Sequence, residues 1–443
     1  MSYLTHPRKS SKMPLGIPYI IGNELAERFS FYGMKCILII FMTQYLINSD
    51  GILEPMNNTE ATYWYHMFTS AVYFTPILGA LLSDVFLGKY KTILLLSIIY
   101  CLGHFSLALD ETKFGLFIGL ALISIGAGGI KPCVSAHVGD QFGKSNSKLL
   151  SKVFSWFYLS INLGAFISTM LTPYLLHNYG PSIAFGIPGV LMLIATYLFW
   201  LGRNVFIHIP PKGLEFFKDV FSKNGIKSIL KLSIIYIFIS IFWSLFDQTG
   251  STWVLQAEKM DRNWLGIHWY SSQIQSINPI MILIFAPLFS YYLYPFINRH
   301  TNLTPLKKIN MGLLLAVPSF LIIGLVEKWI ALGYTPSIAW QVLAYTILTA
   351  SEVLVSITCL EFSYTQAPNS MKSLIMGFFL LSVSLGNIIT AWINAIILNS
   401  DGSSKLTGDM YYNFFALMMF ITSLLFLFVV KYYKEQSYLH EEK

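Results

Sequence analysis

Apolar residues run along this chain in blocks of about twenty, separated by short polar and often basic stretches. As a helix, a block of that length crosses the ~30 Å hydrocarbon core of a bilayer. Twelve such spans are predicted, over 16–48, 62–86, 91–110, 114–137, 150–176, 183–201, 232–256, 271–297, 308–328, 337–362, 373–398 and 409–432. Gly and Pro interrupt several of them, which membrane helices tolerate when neighbours satisfy the freed backbone groups. The stretch 202–231 is the longest polar segment, with a short amphipathic helix expected around Leu214–Phe221. The pattern predicts an all-α membrane protein: a six-helix bundle over 1–201, a linker over 202–231 and a second six-helix bundle over 232–443.

Composition agrees. The 443 residues are 55% hydrophobic and only 12% charged, about half the ~25% of a soluble domain, and the mean hydropathy is +0.58. A soluble globule cannot hide that much apolar surface. The start, MSYLTHPRKSSKMP, is polar and basic and runs directly into the first span, so no cleavable signal peptide is expected. Cys36, Cys101, Cys133 and Cys359 all lie inside apolar blocks and say nothing of redox compartment. The net charge of +7 follows from topology and needs no nucleic-acid partner. With both termini in the cytoplasm, 21 of the 29 Lys and Arg fall inside. Only Lys113, Lys259, Arg262, Lys328 and Lys405 fall outside, which is the positive-inside bias. A multi-pass protein of the cell membrane is expected.

Arg28, Lys35 and Lys131 are the bases left within spans. An ionisable residue there costs about 2.5–3.5 kcal/mol on insertion scales and marks function by default. The first span also holds Glu24 and Glu27. At ~100° per residue, Glu24, Glu27, Arg28, Tyr32 and Lys35 fall within an arc of roughly 140°, a polar stripe that must face protein. Glu24 and Arg28, four apart, can pair. A packing ion pair alone would not require Lys35. In the fourth span, Lys131 stands in GAGGIKPCVSAHVGDQF, after glycines that permit close packing and before Pro132. It needs a carboxylate or an anionic ligand. The second span supplies His66 and Tyr73, the fifth Asn162. His66 is either a hydrogen-bonded structural group or a proton carrier with its ordinary pKa near 6.5.

The second half repeats the theme. Trp243 and Asp247 lie one turn apart in FWSLFDQTGSTW, as do Glu352 and Ser356 in the tenth span. Glu361, nine residues beyond Glu352, falls about 180° around an ideal helix, which suits a gate or packing role. Asn278, with the aromatics Tyr73, Trp243 and Phe379, would complete a polar cavity with apolar walls. Cations in the first half and an acid in the second suit a zwitterion. Carboxylates competing for protons and for Arg or Lys supply a coupling device.

Between the second and third spans, GALLSDVFLGKYKT resembles the cytoplasmic loop motif of the major facilitator superfamily: Gly79 for close approach, Asp84, then Gly88, Lys89 and Lys91. Inside-positive charge explains the two lysines alone. Their combination with Gly79 and Asp84 favours a gating loop. Six spans plus six is that superfamily's plan.

From about residue 18 to 390 the chain resembles the proton-dependent oligopeptide transporter family. ELAERFSFYG, GGIKPCVSAHVGDQF, FYLSINLGAF, FDQTGSTW and EFSYTQAP match its signatures in order. AVYFTPILGALLSDVFLGKYKT, GGIKPCVSA and the histidine of YWYHMF lean towards the animal intestinal and renal peptide transporters. The resemblance implies proton-driven import of di- and tripeptides by a protein that is no enzyme and needs no cofactor beyond the gradient. By it, Glu24, Glu27 and Arg28 with Lys131 form the coupling network, and His66 and Asp247 are proton-linked. Glu352 would hold the peptide ammonium; Tyr32, Tyr73, Asn162 and Asn278 would line the site. A monomer is expected.

The chain departs from the family at Phe31, usually tyrosine, at Lys35, often arginine, and at Phe379, commonly tryptophan. It has no room for the large outer domain of animal members between helices 9 and 10. It also lacks the two extra mid-chain helices of many bacterial members. Rival solutes within the family are an amino acid, nitrate or a peptide-like metabolite, and Glu352 argues against nitrate. A membrane hydrolase using His66 and a carboxylate lacks any metal-spaced His/Cys cluster, nucleophile elbow or phosphate loop.

Overall fold

The computed structural model describes residues 3–7, 9–143, 145–211, 213–366, 372–399 and 404–433. Without water to take up backbone polar groups, apolar blocks this long close their hydrogen bonds within helices. Among the described residues, sixteen α-helices form: α1 (Ile17–Gln44), α2 (Asn58–Leu81), α3 (Lys89–Leu109), α4 (Lys113–Asp140), α5 (Leu150–Tyr179), α6 (Pro181–Leu201), α7 (Glu215–Val220), α8 (Lys223–Phe246), α9 (Thr252–Ala257), α10 (Ile277–Leu288), α11 (Tyr294–Asn298), α12 (Pro305–Ala331), α13 (Ala339–Glu352), α14 (Thr358–Gln366), α15 (Lys372–Ile397) and α16 (Asp409–Tyr432). A two-residue hairpin, β1 (Asn263–Trp264) with β2 (Ile267–His268), pairs antiparallel.

Three spans are each made of two pieces. A 3₁₀ turn, Asp247–Gly250, separates α8 from α9, and π-helical turns at Phe289–Leu293 and Val353–Ile357 join α10 to α11 and α13 to α14. The last two pack together through Phe289, Val353 and Leu354. A further π turn, Leu82–Leu87, extends α2. Such turns are rare and frequent at functional sites. Among the described residues, eleven helical stretches are long and apolar enough to cross a membrane. The twelfth is α1, 28 residues long, whose four charges lower its hydropathy.

Two compact units emerge, Met1–Pro55 with Ala71–Ser222, and Met56–Ser70 with Lys223–Lys443. Close helix approach in the first unit rests on glycine: a Cβ on Gly79 of α2 would collide with the backbone of Gly129 in α4, and one on Gly164 of α5 would sit 2.7 Å from Leu25 O of α1. Element ends differ from the hydropathy reading. The residues read as the end of a linker, 223–231, are helical and begin α8. There Lys223, Lys227 and Lys231 recur every fourth residue along one side of the helix. The short amphipathic helix is present as α7.

Candidate functional site

The polar stripe of α1 is buried as its phase required. Glu24 and Glu27 are each 1% exposed, and Lys35 is buried too. Arg28 Nε lies 2.7 Å from Glu24 Oε1 and 3.2 Å from Glu27 Oε2, so one guanidinium serves both acids. The i,i+4 pair has the shorter contact, as helix geometry favours. The Glu27 oxygens have no hydrogen bond among the described residues, which leaves the Arg28 ion pair as their support.

Lys131 lies in α4. Among the described residues it makes no ion pair; its Nζ lies 4.1 Å from the Phe31 ring centroid and 5.7 Å from that of Tyr73. Phe31 thus sets an aromatic face within cation–π range of the Lys131 ammonium. Tyr32 packs edge-on against Phe31 at 5.4 Å. Asn162 of α5 is buried, but its Nδ2 donates to Tyr158 O of its own helix.

At the start of α3, Lys89 pairs with Asp140 of α4 at 2.7 Å. Gly88 takes φ +77°, a conformation that glycine adopts freely, and so turns the chain between the π turn and α3. Asp84 lies within that π turn.

In the second unit, acids are held by amides. Asn278 of α10 donates from Nδ2 to Glu352 Oε2 at 2.6 Å and lies 3.2 Å from Thr349 Oγ1. Asn387 of α15 donates from Nδ2 to Asp247 Oδ2 at 2.7 Å. Its Oδ1 lies 2.7 Å from His66 Nδ1, and His66 Nε2 lies 3.0 Å from Ser251 Oγ. Trp243 is buried one turn before Asp247, and its Nε1–H donates to no acceptor among the described residues. Phe379 packs near Tyr236, ring centroids 6.2 Å apart, well within the apolar core. The π turn Val353–Ile357 winds fewer degrees per residue than an α-helix, so Glu361 does not fall opposite Glu352 as an ideal helix predicted. Glu361 is exposed, and Ser356 is half-buried within the turn itself.

The structure thus brings together Glu24, Glu27 and Arg28; Lys131, Phe31 and Tyr73; His66 and Asp247; and Asn278 and Glu352. Sequence reasoning missed Asn387, Ser251 and Asp140. The first was signalled by an amide inside the apolar run SLGNIITAW, the third by the acid in the motif HVGDQF that ends α4.

The sequence model of the POT family matches residues 90–225 and 214–410. Human solute carrier family 15 member 2 is 37% identical over 368 residues, 72% of this chain and 49% of that protein. The chain belongs to the POT family. Drosophila melanogaster peptide transporter family 1 is 38% identical over 69% of this chain and 47% of its own length. The chain thus spans about half the length of the curated relatives it matches. Among solved structures, the POT family transporter PepTSo superposes with a TM-score of 0.87 at 35% identity, covering 95% of this chain and 98% of that one. The POT fold is that of the major facilitator superfamily, twelve transmembrane helices in two six-helix bundles, and the broken spans α8–α9, α10–α11 and α13–α14 are three of the twelve.

Proposed function

We propose that this chain is a proton-coupled symporter that imports di- and tripeptides by alternating access. The observation that carries the reading is the pair of buried acids in α1 sharing one arginine, in a chain of the POT family. Two carboxylates on one guanidinium need not both stay ionised, so the cluster can take up a proton and release Arg28. A zwitterionic peptide matches the charges available. The first unit offers Arg28, Lys35 and Lys131, and the second offers Glu352. The names borne by two relatives support the substrate class: peptide transporter family 1 of the fly, and an auto-inhibited POT family peptide transporter, 32% identical with a TM-score of 0.86.

By this reading Glu24, Glu27, Arg28, Lys131, His66 and Asp247 carry proton coupling. Tyr32, Lys35, Tyr73, Asn162, Trp243, Asn278, Glu352, Ser356 and Phe379 line the peptide path. Gly79, Asp84, Gly88, Lys89 and Glu361 serve gating. The protein acts as a monomer in the cell membrane with both termini in the cytoplasm, moving as bundles 1–201 and 232–443. The proton gradient is its only driving force. Labelled dipeptide uptake into proteoliposomes, with and without an inward proton gradient, tests this. Accumulation above equilibrium is expected only with the gradient. Gradient-driven uptake of a free amino acid, with none of dipeptide, would instead favour the rival solute.

A further inference from the structure

Four side chains of the second unit form a chain of contacts away from water. His66, Ser251 and Asn387 are 0% exposed and Asp247 is 6% exposed. Asn387 sits at the centre, on α15. Its Nδ2 donates both to Asp247 Oδ2 at 2.7 Å and to the Val383 main-chain oxygen at 3.0 Å. A main-chain carbonyl only accepts, so the amide nitrogen must be the atom facing Val383. The amide oxygen then faces His66 Nδ1 at 2.7 Å. That oxygen also only accepts, so His66 must carry a hydrogen on Nδ1. The remaining ring nitrogen, Nε2, faces Ser251 Oγ at 3.0 Å. A hydroxyl can donate to a neutral ring or accept from a charged one.

We propose that Asn387 is a positioning residue that ties His66 and Asp247 into one proton-holding unit and confines proton exchange on the imidazole to Nε2. The inference rests on the proton-coupling reading of those two groups. A proton arriving at Nε2 makes Nδ1–H a stronger donor. That polarises the Asn387 carbonyl and strengthens its N–H bond to the Asp247 carboxylate. Imidazolium and carboxylate therefore stabilise each other through a neutral amide, and exclusion of water amplifies the effect. Protonating Asp247 instead weakens the hold on the charge of His66, so the unit favours one proton over two. Ser251 closes the helical break between α8 and α9, which places the exchanging nitrogen at a turn rather than inside a helical ladder. Among the described residues, Glu352 of α13 interacts electrostatically with Asp247, and the Tyr65 ring lies 5.3 Å from that of His66.

The test is the pH profile of gradient-driven dipeptide uptake in proteoliposomes for wild type, D247N, N387L and the double variant. D247N should move the alkaline limb to lower pH by about one unit, the scale of a lost neighbouring opposite charge. N387L should move it the same way, and D247N should then add nothing. An equal D247N shift in both backgrounds would overturn the bridge while leaving Asp247 in the mechanism. No D247N shift in either would overturn the bridge together with the proton role of Asp247. Should N387L fail to fold, N387D keeps the side-chain volume. It sets two carboxylates side by side, which forces one to hold a proton, so the limb should move to higher pH; a profile superposing on wild type would refute the bridge. Ring-¹⁵N spectra, with His66 assigned against H66Q, add a signature that packing alone would not move. Neutral His66 should be the Nδ1–H tautomer in wild type and lose that form in N387L. An Nε2–H ring in wild type would also overturn the proposal.

Discussion

The two units hold the acids of their spans by different means. In the first, Glu24 and Glu27 depend on the full charge of Arg28, all three on one helix. In the second, Asp247 and Glu352 each receive an amide from a neighbouring helix, Asn387 and Asn278. An amide N–H donates to a carboxylate oxygen and equally to the carbonyl oxygen of a neutral acid, so its partner can change charge and keep the bond. A guanidinium beside a neutralised acid loses most of its attraction. On the proposed function, protonation in the first unit frees a cation, whereas in the second it leaves the scaffold in place. The first unit would switch its ion pairs, and the second would change charge on a fixed hydrogen-bonded frame.

The largest expected effect follows from that contrast. Arg28→Gln strands two buried carboxylates, a loss on the order of 3–5 kcal/mol, and should sharply lower the thermal midpoint of the purified protein. Glu27→Gln spares the Glu24–Arg28 pair, so the protein should fold. Gradient-driven accumulation should vanish while peptide counterflow persists; normal accumulation would remove α1 from coupling. Asn278→Ala tests the other side of the comparison. It deletes a neutral donor, so its stability cost should be nearer 1 kcal/mol. A loss as large as that of Arg28→Gln would erase the distinction between the units.

Next in size is Glu352→Gln. If Glu352 binds the free amino terminus, the variant should weaken free dipeptides by about 1.5–3 kcal/mol, roughly ten- to a hundredfold. Amino-terminally acetylated peptides should be affected far less. Competition assays with matched ligands decide it, and equal losses for both would give Glu352 a packing or gating role. Asn278→Ala should cost free peptides a smaller factor, because it disturbs only the aim of the Glu352 carboxylate.

Much of this was legible in the sequence because the bilayer imposes long-wavelength rules. Span length, the burial of the α1 stripe and the Glu24–Arg28 pair all follow from helix phase and the cost of charge in lipid. What escaped depends on tertiary contact or on a local change of winding. Nothing in VLVSI announces a π turn, so the angle between Glu352 and Glu361 could not be read from an ideal helix. Asn387 is one amide in an apolar run, and only the fold sets it against His66 and Asp247. Lys131 was expected to need a carboxylate or an anionic ligand, and the sequence did not announce that the Phe31 ring lies 4.1 Å from its Nζ.

The smallest expected effect concerns the loop between α2 and α3. Lys89 and Asp140 are 2.7 Å apart with side chains 21% and 17% exposed, so their bridge is partly solvated. Pairs of this kind contribute about 0–1 kcal/mol, and in a chain of this size either single variant should shift the thermal midpoint by no more than about 2 °C. Rate distinguishes the two readings of Lys89. If the lysine serves only inside-positive topology, Lys89→Gln removes one charge of many, and Asp140→Asn, which leaves Lys89 intact, should do nothing. If the bridge gates, both variants lose the same contact between the start of α3 and the end of α4. Both should then slow initial uptake by a similar factor with peptide affinity unchanged. Initial rates across peptide concentrations at fixed pH separate the cases. Wild-type rates in both variants would return Lys89 to topology and leave Gly79 and Gly88, through close approach and backbone turning, as the loop's structural determinants.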